Sequence, residues 1–69
     1  MIELTVSVPD EFITMCGGVD EARKQLQRLA VLDTVRRGRM SPSSGAEFLG
    51  MDLHEFKGLM AEHGIPVSA

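Results

Sequence analysis

Tryptophan and tyrosine are absent from this chain, and cysteine occurs once in 69 residues. A lone Cys16 excludes an internal disulfide. His54 and His63 stand nine residues apart without companions, so no ligand set has metal-binding spacing and no metal is expected. No apolar run approaches the ~20 residues that cross a membrane. The acidic start, MIELTVSVPD, is unlike a signal peptide. There is no nucleophile–base pairing and no glycine-rich phosphate loop after a strand, and so short a chain leaves no room for a deep pocket. The expectation is a cytoplasmic protein with no membrane association, no catalytic residues and no cofactor. Cys16, lacking a histidine or basic neighbour, reads as a small hydrophobe rather than a reactive thiol.

Residues 1–69 form one domain at most. A chain this small buries only roughly 60 % of its unfolded surface. With disulfide and metal staples excluded, oligomerisation is the remaining one. The charge is unevenly spread: residues 1–40 carry six basic and six acidic side chains, whereas 41–69 carry only Lys57 against Glu47, Asp52, Glu55 and Glu62. Net charge is −3, which is unpromising for nucleic acid, because affinity there comes mostly from phosphate neutralisation. Arg36, Arg37 and Arg39 nevertheless form a compact basic cluster.

Residues 2–8, IELTVSV, alternate strictly, with Ile2, Leu4, Val6 and Val8 on one face and Glu3, Thr5 and Ser7 on the other. That is the period-2 signature of a half-buried strand, about 23 Å long at ~3.3 Å per residue. No second strong strand is present, although Ile65–Val67 can add a short edge. An antiparallel β-ribbon with the same strand of a second chain, about a two-fold axis, is the simplest way to pair it. Pro9 then opens a short helix over 10–16, stopped by Gly17-Gly18. Asp20 caps the longest helix, 20–37, which ends at Gly38. Val19, Ala22, Leu26, Leu29 and Ala30 form one apolar stripe on it. Val31, Leu32 and Val35 fall on another side, as in a helix wedged between its own domain and a partner. Asp33 and Arg37 have i, i+4 spacing for an ion pair.

The stretch 41–63 reads as a helix-turn-helix. Ser41 is a good N-cap with Pro42 at the first helical position. Gly50 ends the first helix, and Asp52 with Glu55 makes a capping box for the second. Gly64 and Pro66 stop that helix. Ala46 suits the crowded crossing point, and Leu49, Met51, Phe56 and Leu59 suit the shared core. Met15, Met40, Met51 and Met60 are expected to fill core space. The fold expected is therefore mainly α: an N-terminal β-strand, four helices including the helix-turn-helix, and a two-fold dimer through a β-ribbon. Its dimer interface would comprise Ile2, Leu4, Val6, Val8, Val31, Leu32 and Val35.

Several blocks resemble a family of small prokaryotic proteins of unassigned function (UPF-type), described as antitoxins of type II toxin–antitoxin pairs. They are the alternating strand ending in VPDEF, the helix start Gly18-Val19-Asp20, Gly38-Arg39-Met40-Ser41, Ala46-Glu47-Phe48-Leu49-Gly50-Met51-Asp52, Glu55-Phe56, and Gly64-Ile65-Pro66-Val67. The resemblance implies a dimeric DNA-associated partner of a toxin that represses its own operon. Where the family often has a basic residue followed by Ala, this chain has Ser44-Gly45, which removes a phosphate contact. Members commonly continue past Gly-Ile-Pro-Val into an acidic tail suited to wrapping a toxin. Here Ser68-Ala69 follow, so that element is expected to be absent or elsewhere.

Each candidate site has two readings. The second helix of the pair is either a recognition helix, presenting His54, Glu55, Lys57, Gly58 and Ala61 to a DNA groove, or a surface helix of a purely structural unit. Of its outward side chains only Lys57 is a usual base reader. Arg36, Arg37 and Arg39 are either a phosphate clamp or cations balancing a helix C-terminus. The candidate DNA-binding set is Arg36, Arg37, Arg39, Ser43, His54 and Lys57. The leading function is a DNA-binding regulator of the antitoxin type, acting as a homodimer on double-stranded DNA and taking a toxin as partner. The competing function is a non-catalytic protein-interaction adaptor whose helix-turn-helix does not bind DNA.

Overall fold

The computed structural model of the chain describes residues 2–67. Four helices follow one another: α1 (Asp10–Cys16), α2 (Val19–Arg36), α3 (Pro42–Leu49) and α4 (Leu53–Glu62). All four end alike. A glycine at positive φ (Gly17, Gly38, Gly50, Gly64) is followed by an amide that bonds back to the carbonyl five residues earlier. This closure satisfies carbonyls that a helix end otherwise leaves open.

The long helix α2 is the spine. α1 folds against its N-terminal part and α3 against its C-terminal part, while α4 packs on α3. Val31, Leu32 and Val35 of α2, Ala46 of α3, and Phe56 and Met60 of α4 form the core, closed by Ile65. Met40, Leu49, Met51 and Leu59 pack around it. α1 contributes no buried residue; near it only Ala22 of α2 is buried.

The structure corrects the expected fold at its N-terminus. Among the described residues no strand forms, and residues 2–8 join no ladder. Alternation fixes which side chains share a face, but a strand exists only when a second backbone supplies the hydrogen bonds, and this chain supplies none. No β-ribbon is therefore present. Ile2, Leu4 and Val6 are 86 %, 81 % and 60 % exposed, and Val8 is half-buried. Nor does the segment after α4 make an edge strand, because the Ile65 amide bonds to the Met60 carbonyl and its side chain enters the core. Ser68 and Ala69 lie outside the described residues. Val31, Leu32 and Val35, expected at a dimer interface, are buried in the chain's own core. That explains why α2 is apolar on a second side: α3 and α4 cover it. Met15, expected in the core, is 85 % exposed. The start of α2 also differs, since Gly18 is its N-cap and makes no side-chain cap. Asp20 lies inside the first turn and accepts from Arg23 at 3.0 Å.

Two glycines inside helices have opposite surroundings. A Cβ on Gly45 of α3 would lie 2.7 Å from Phe56 Cζ and 3.1 Å from Val31 Cγ1. Phe56 is 0 % exposed and cannot swing away. A Cβ on Gly58 of α4 would meet nothing within 4 Å. G45A is expected to destabilise the fold by roughly 1–2 kcal/mol net, overpacking exceeding the ~1 kcal/mol gain in helix propensity. G58A is expected to stabilise it by about 1 kcal/mol. Urea denaturation followed by circular dichroism measures both. F56L removes the colliding Cζ, so G45A/F56L should be less unstable than the sum of the single variants; strict additivity would refute the contact.

Candidate functional site

The outer face of α4 is positioned by a series of local contacts along α3 and the turn that follows it. At the start of α3, the Ser44 amide donates to Ser41 Oγ at 3.1 Å, and the two hydroxyls lie 3.0 Å apart. Pro42 occupies the first turn, where its missing N–H costs nothing. After α3, Gly50 at φ 69° reverses the chain, and the Met51 amide bonds to the Ala46 carbonyl at 3.0 Å. Asp52 then caps α4 by accepting from the Glu55 amide at 2.8 Å. That backbone hydrogen bond is the main reason the Asp52 carboxyl is held below its ordinary pKa. A turn of three residues, each with a defined role, thus joins the helices.

The inward side of α4 is spent on packing: Phe56 and Met60 are buried and Leu59 is half-buried. The outward side carries His54, Glu55, Gly58 and Ala61, all exposed, with Lys57 half-buried at its edge. Leu53 on α4 and Phe48 on α3 are exposed apolar residues beside the turn. Ser43 on α3 is exposed; with Ser41 and Ser44 engaged in the cap, it is the serine at this helix start left to face outward.

The arginine cluster sits where α2 ends. Arg36 donates to Asp33 Oδ1 at 2.5 Å and Arg37 to Asp33 Oδ2 at 2.8 Å. One carboxylate therefore holds two guanidinium groups, one on each oxygen. Sequence spacing pointed to the Arg37 pair; the Arg36 pair, at i, i+3, was equally readable. Among the described residues Arg39, Arg28 and Lys57 have no carboxylate within ion-pair distance. Arg36 also lines a shallow groove of about 290 Å³ together with Pro42 of α3 and Met60 of α4. The fold thus brings Arg36 beside the start of α3, while His54 and Lys57 lie outside that groove. Among the described residues no group of three or more His, Cys, Asp or Glu side chains is placed to hold a metal, and no helix is long and apolar enough to cross a membrane. Gly45 escaped the sequence reading, which placed the tight crossing at Ala46. The signal was present in the pair of small residues Gly45-Ala46, but which of them faces Phe56 is a matter of helix rotation.

These features define a small four-helix protein whose last two helices, joined by a three-residue turn, present one outward face beside an arginine cluster. The chain belongs to the uncharacterised protein family UPF0175, whose pattern it matches over residues 1–69. No curated protein and no solved structure shows significant similarity to it.

The hydrogen bonds from Arg36 and then Arg37 lower the Asp33 pKa. A carboxyl with a depressed folded-state pKa adds stability above its unfolded pKa, and that contribution disappears as pH falls through the folded value. Carbon-detected NMR titration is expected to place the Asp33 midpoint below that of an ordinary aspartate. R36Q/R37Q should return it to the ordinary value; an unchanged midpoint in that variant would refute the shared pair.

Proposed function

We infer that this protein is a small DNA-binding regulator of the antitoxin type. In this reading α3 and α4 are a helix-turn-helix, the chain acts as a homodimer, and a toxin is its second partner. The observation that carries it is the outward face of α4, anchored by the buried Phe56 and Met60 yet free of intramolecular contact at Gly58. A glycine in the middle of an exposed helix costs about 1 kcal/mol relative to alanine. Packing inside the chain gives no return for it, whereas close approach of a DNA backbone does. Lys57 and His54 flank that notch, Lys57 as the base reader and His54 as a phosphate donor. Ser43 hydrogen-bonds a phosphate at the start of α3. Arg39, free of carboxylates among the described residues, is the readiest phosphate contact of the cluster. Arg36 and Arg37 exchange Asp33 for phosphate on binding. The protein works in the cytoplasm, without catalysis or cofactor.

A second reading, an adaptor that binds protein through the same helices, is favoured by exposed Phe48 and Leu53 beside the turn and by the net charge of −3.

The deciding experiment is a salt titration of binding to duplex DNA from upstream of the protein's own gene and to random duplex. Replacing Arg36, Arg37 and Arg39 with Gln is expected to weaken binding to both alike. The log–log salt slope should flatten by ~0.9 for each phosphate no longer neutralised, up to ~5 units for a dimer. K57A should cost ~1–3 kcal/mol on the preferred site only. G58A should weaken binding while raising stability. Absence of salt-sensitive binding by the folded protein at about 50 mM salt, where phosphate contacts are strong, would favour the adaptor.

A further inference from the structure

α1 is fastened to the rest of the chain by fewer means than α3 or α4. It contributes no buried residue, whereas α3 buries Gly45 and Ala46 and α4 buries Phe56 and Met60. Its Phe12, Ile13 and Cys16 are only half-buried. Phe12, Met15 and Cys16 line a shallow groove of about 320 Å³ with Glu21 and Gln25 of α2, so the seam between the two helices is incompletely filled. Among the described residues no ion pair and no side-chain hydrogen bond joins α1 to α2. Partial apolar packing is what holds them together.

A helix of 7 residues does not hold itself. Isolated helices below ~12–15 residues are marginal in water, so α1 depends on α2 for its order. Its own supports are local: Asp10 and Glu11 in the first turn suit the helix dipole, and the Gly17 and Gly18 amides both bond to the Ile13 carbonyl at 3.1 Å. The link to α2 is Gly17 at φ 94° followed by Gly18 at φ 134°. Side chains other than hydrogen rarely allow such backbone angles, and glycine regains more conformational freedom on release than any other residue. On the other side of α1, residues 2–9 add little restraint, because only Val8 among them is half-buried.

We propose that α1 is a strap that opens as one unit. Residues 10–16 leave α2 and unfold together, pivoting at Gly17-Gly18, while α2, α3 and α4 keep their core. That core survives because Val31, Leu32 and Val35 hold the C-terminal part of α2 against α3 and α4, and none of its members comes from α1. Opening uncovers Ala22, buried on α2 near α1, and extends the free N-terminal segment from residues 2–9 to 2–18. The fold thus holds a second conformation that offers a covered side of α2 without unfolding the α3–α4 pair.

This inference does not rest on the DNA reading, and its test contains no nucleic acid. Native-state hydrogen exchange of the full chain, followed by NMR across low urea concentrations, reads the opening. The amides of residues 14–18 are expected to share one protection factor, roughly 100-fold below those of Val35 and Met60. Their exchange should depend little on urea, because opening exposes little surface. F12A should speed it roughly five-fold by removing half-buried area. I65V, in the core but outside the strap, separates local from global opening. It should speed exchange at Val35 and Met60 by roughly 2- to 10-fold and leave residues 14–18 unchanged, because the closed and open forms share the core. Exchange at 14–18 that matches Val35 and Met60 in rate and urea slope, or that accelerates with them in I65V, would overturn the proposal. So would five unrelated rates that F12A does not move together, or amides at 14–18 with no protection at all.

Discussion

Phe56 and Val31 both close against Gly45, and the placement of α4 depends on that close approach. Among the described residues Phe56 is the one large side chain removed completely from water, worth on the order of 2–3 kcal/mol by burial alone. It touches the two helices that α4 must be fixed against. The absence of a Cβ at Gly45 lets α3 come down onto the ring. Around it Ala46, Leu32, Val35 and Met60 complete the core. Because the inward side of α4 is pinned there, the direction of its outward side follows from the core.

Electrostatics plays a lesser part in holding the fold. Among the described residues all four ion pairs lie within α2 or at its end, at i, i+3 or i, i+4 spacing, and their side chains are largely exposed. Exposed pairs of this kind contribute little to stability, because water and salt screen them. Their importance is in where they leave positive charge. Asp33 restrains Arg36 and Arg37, Arg39 has no carboxylate partner among the described residues, and Lys57 is the one Lys or Arg after residue 41.

Membership of UPF0175 places this chain among proteins whose activity the family name does not state, so function has to be argued from the surface. The two ends of the molecule invite different arguments. The α3–α4 end is tightly packed and presents a defined face. The N-terminal end, residues 2–16, has no buried residue and displays Ile2, Leu4, Val6 and Met15 to solvent. Packing at that end is correspondingly sparse. It also fits the difficulty that a chain this small has in covering its apolar residues alone.

The sequence by itself determined the helices and their ends. Ser41 and Asp52 cap by short-range hydrogen bonds, and the glycines after each helix are the residues that adopt positive φ without strain. Those signals depend on neighbours a few residues away, so they are readable from the chain. The start of α2 differs from the expected one because the Ala22 amide bonds to the Gly18 carbonyl at 3.0 Å, which makes Gly18 the N-cap and leaves Asp20 inside the first turn. What only the tertiary structure decided was how elements distant in sequence use the same residues. The second apolar side of α2 is covered by α3 and α4. Gly45, rather than Ala46, meets Phe56, because helix rotation is set by the whole core. Residues 2–8 carry the pattern of a strand without being one, since alternation is a property of a segment and a ladder is a property of two. The groove beside Arg36 brings together Val35 and Ile65, 30 residues apart in the sequence, and no local pattern marks it.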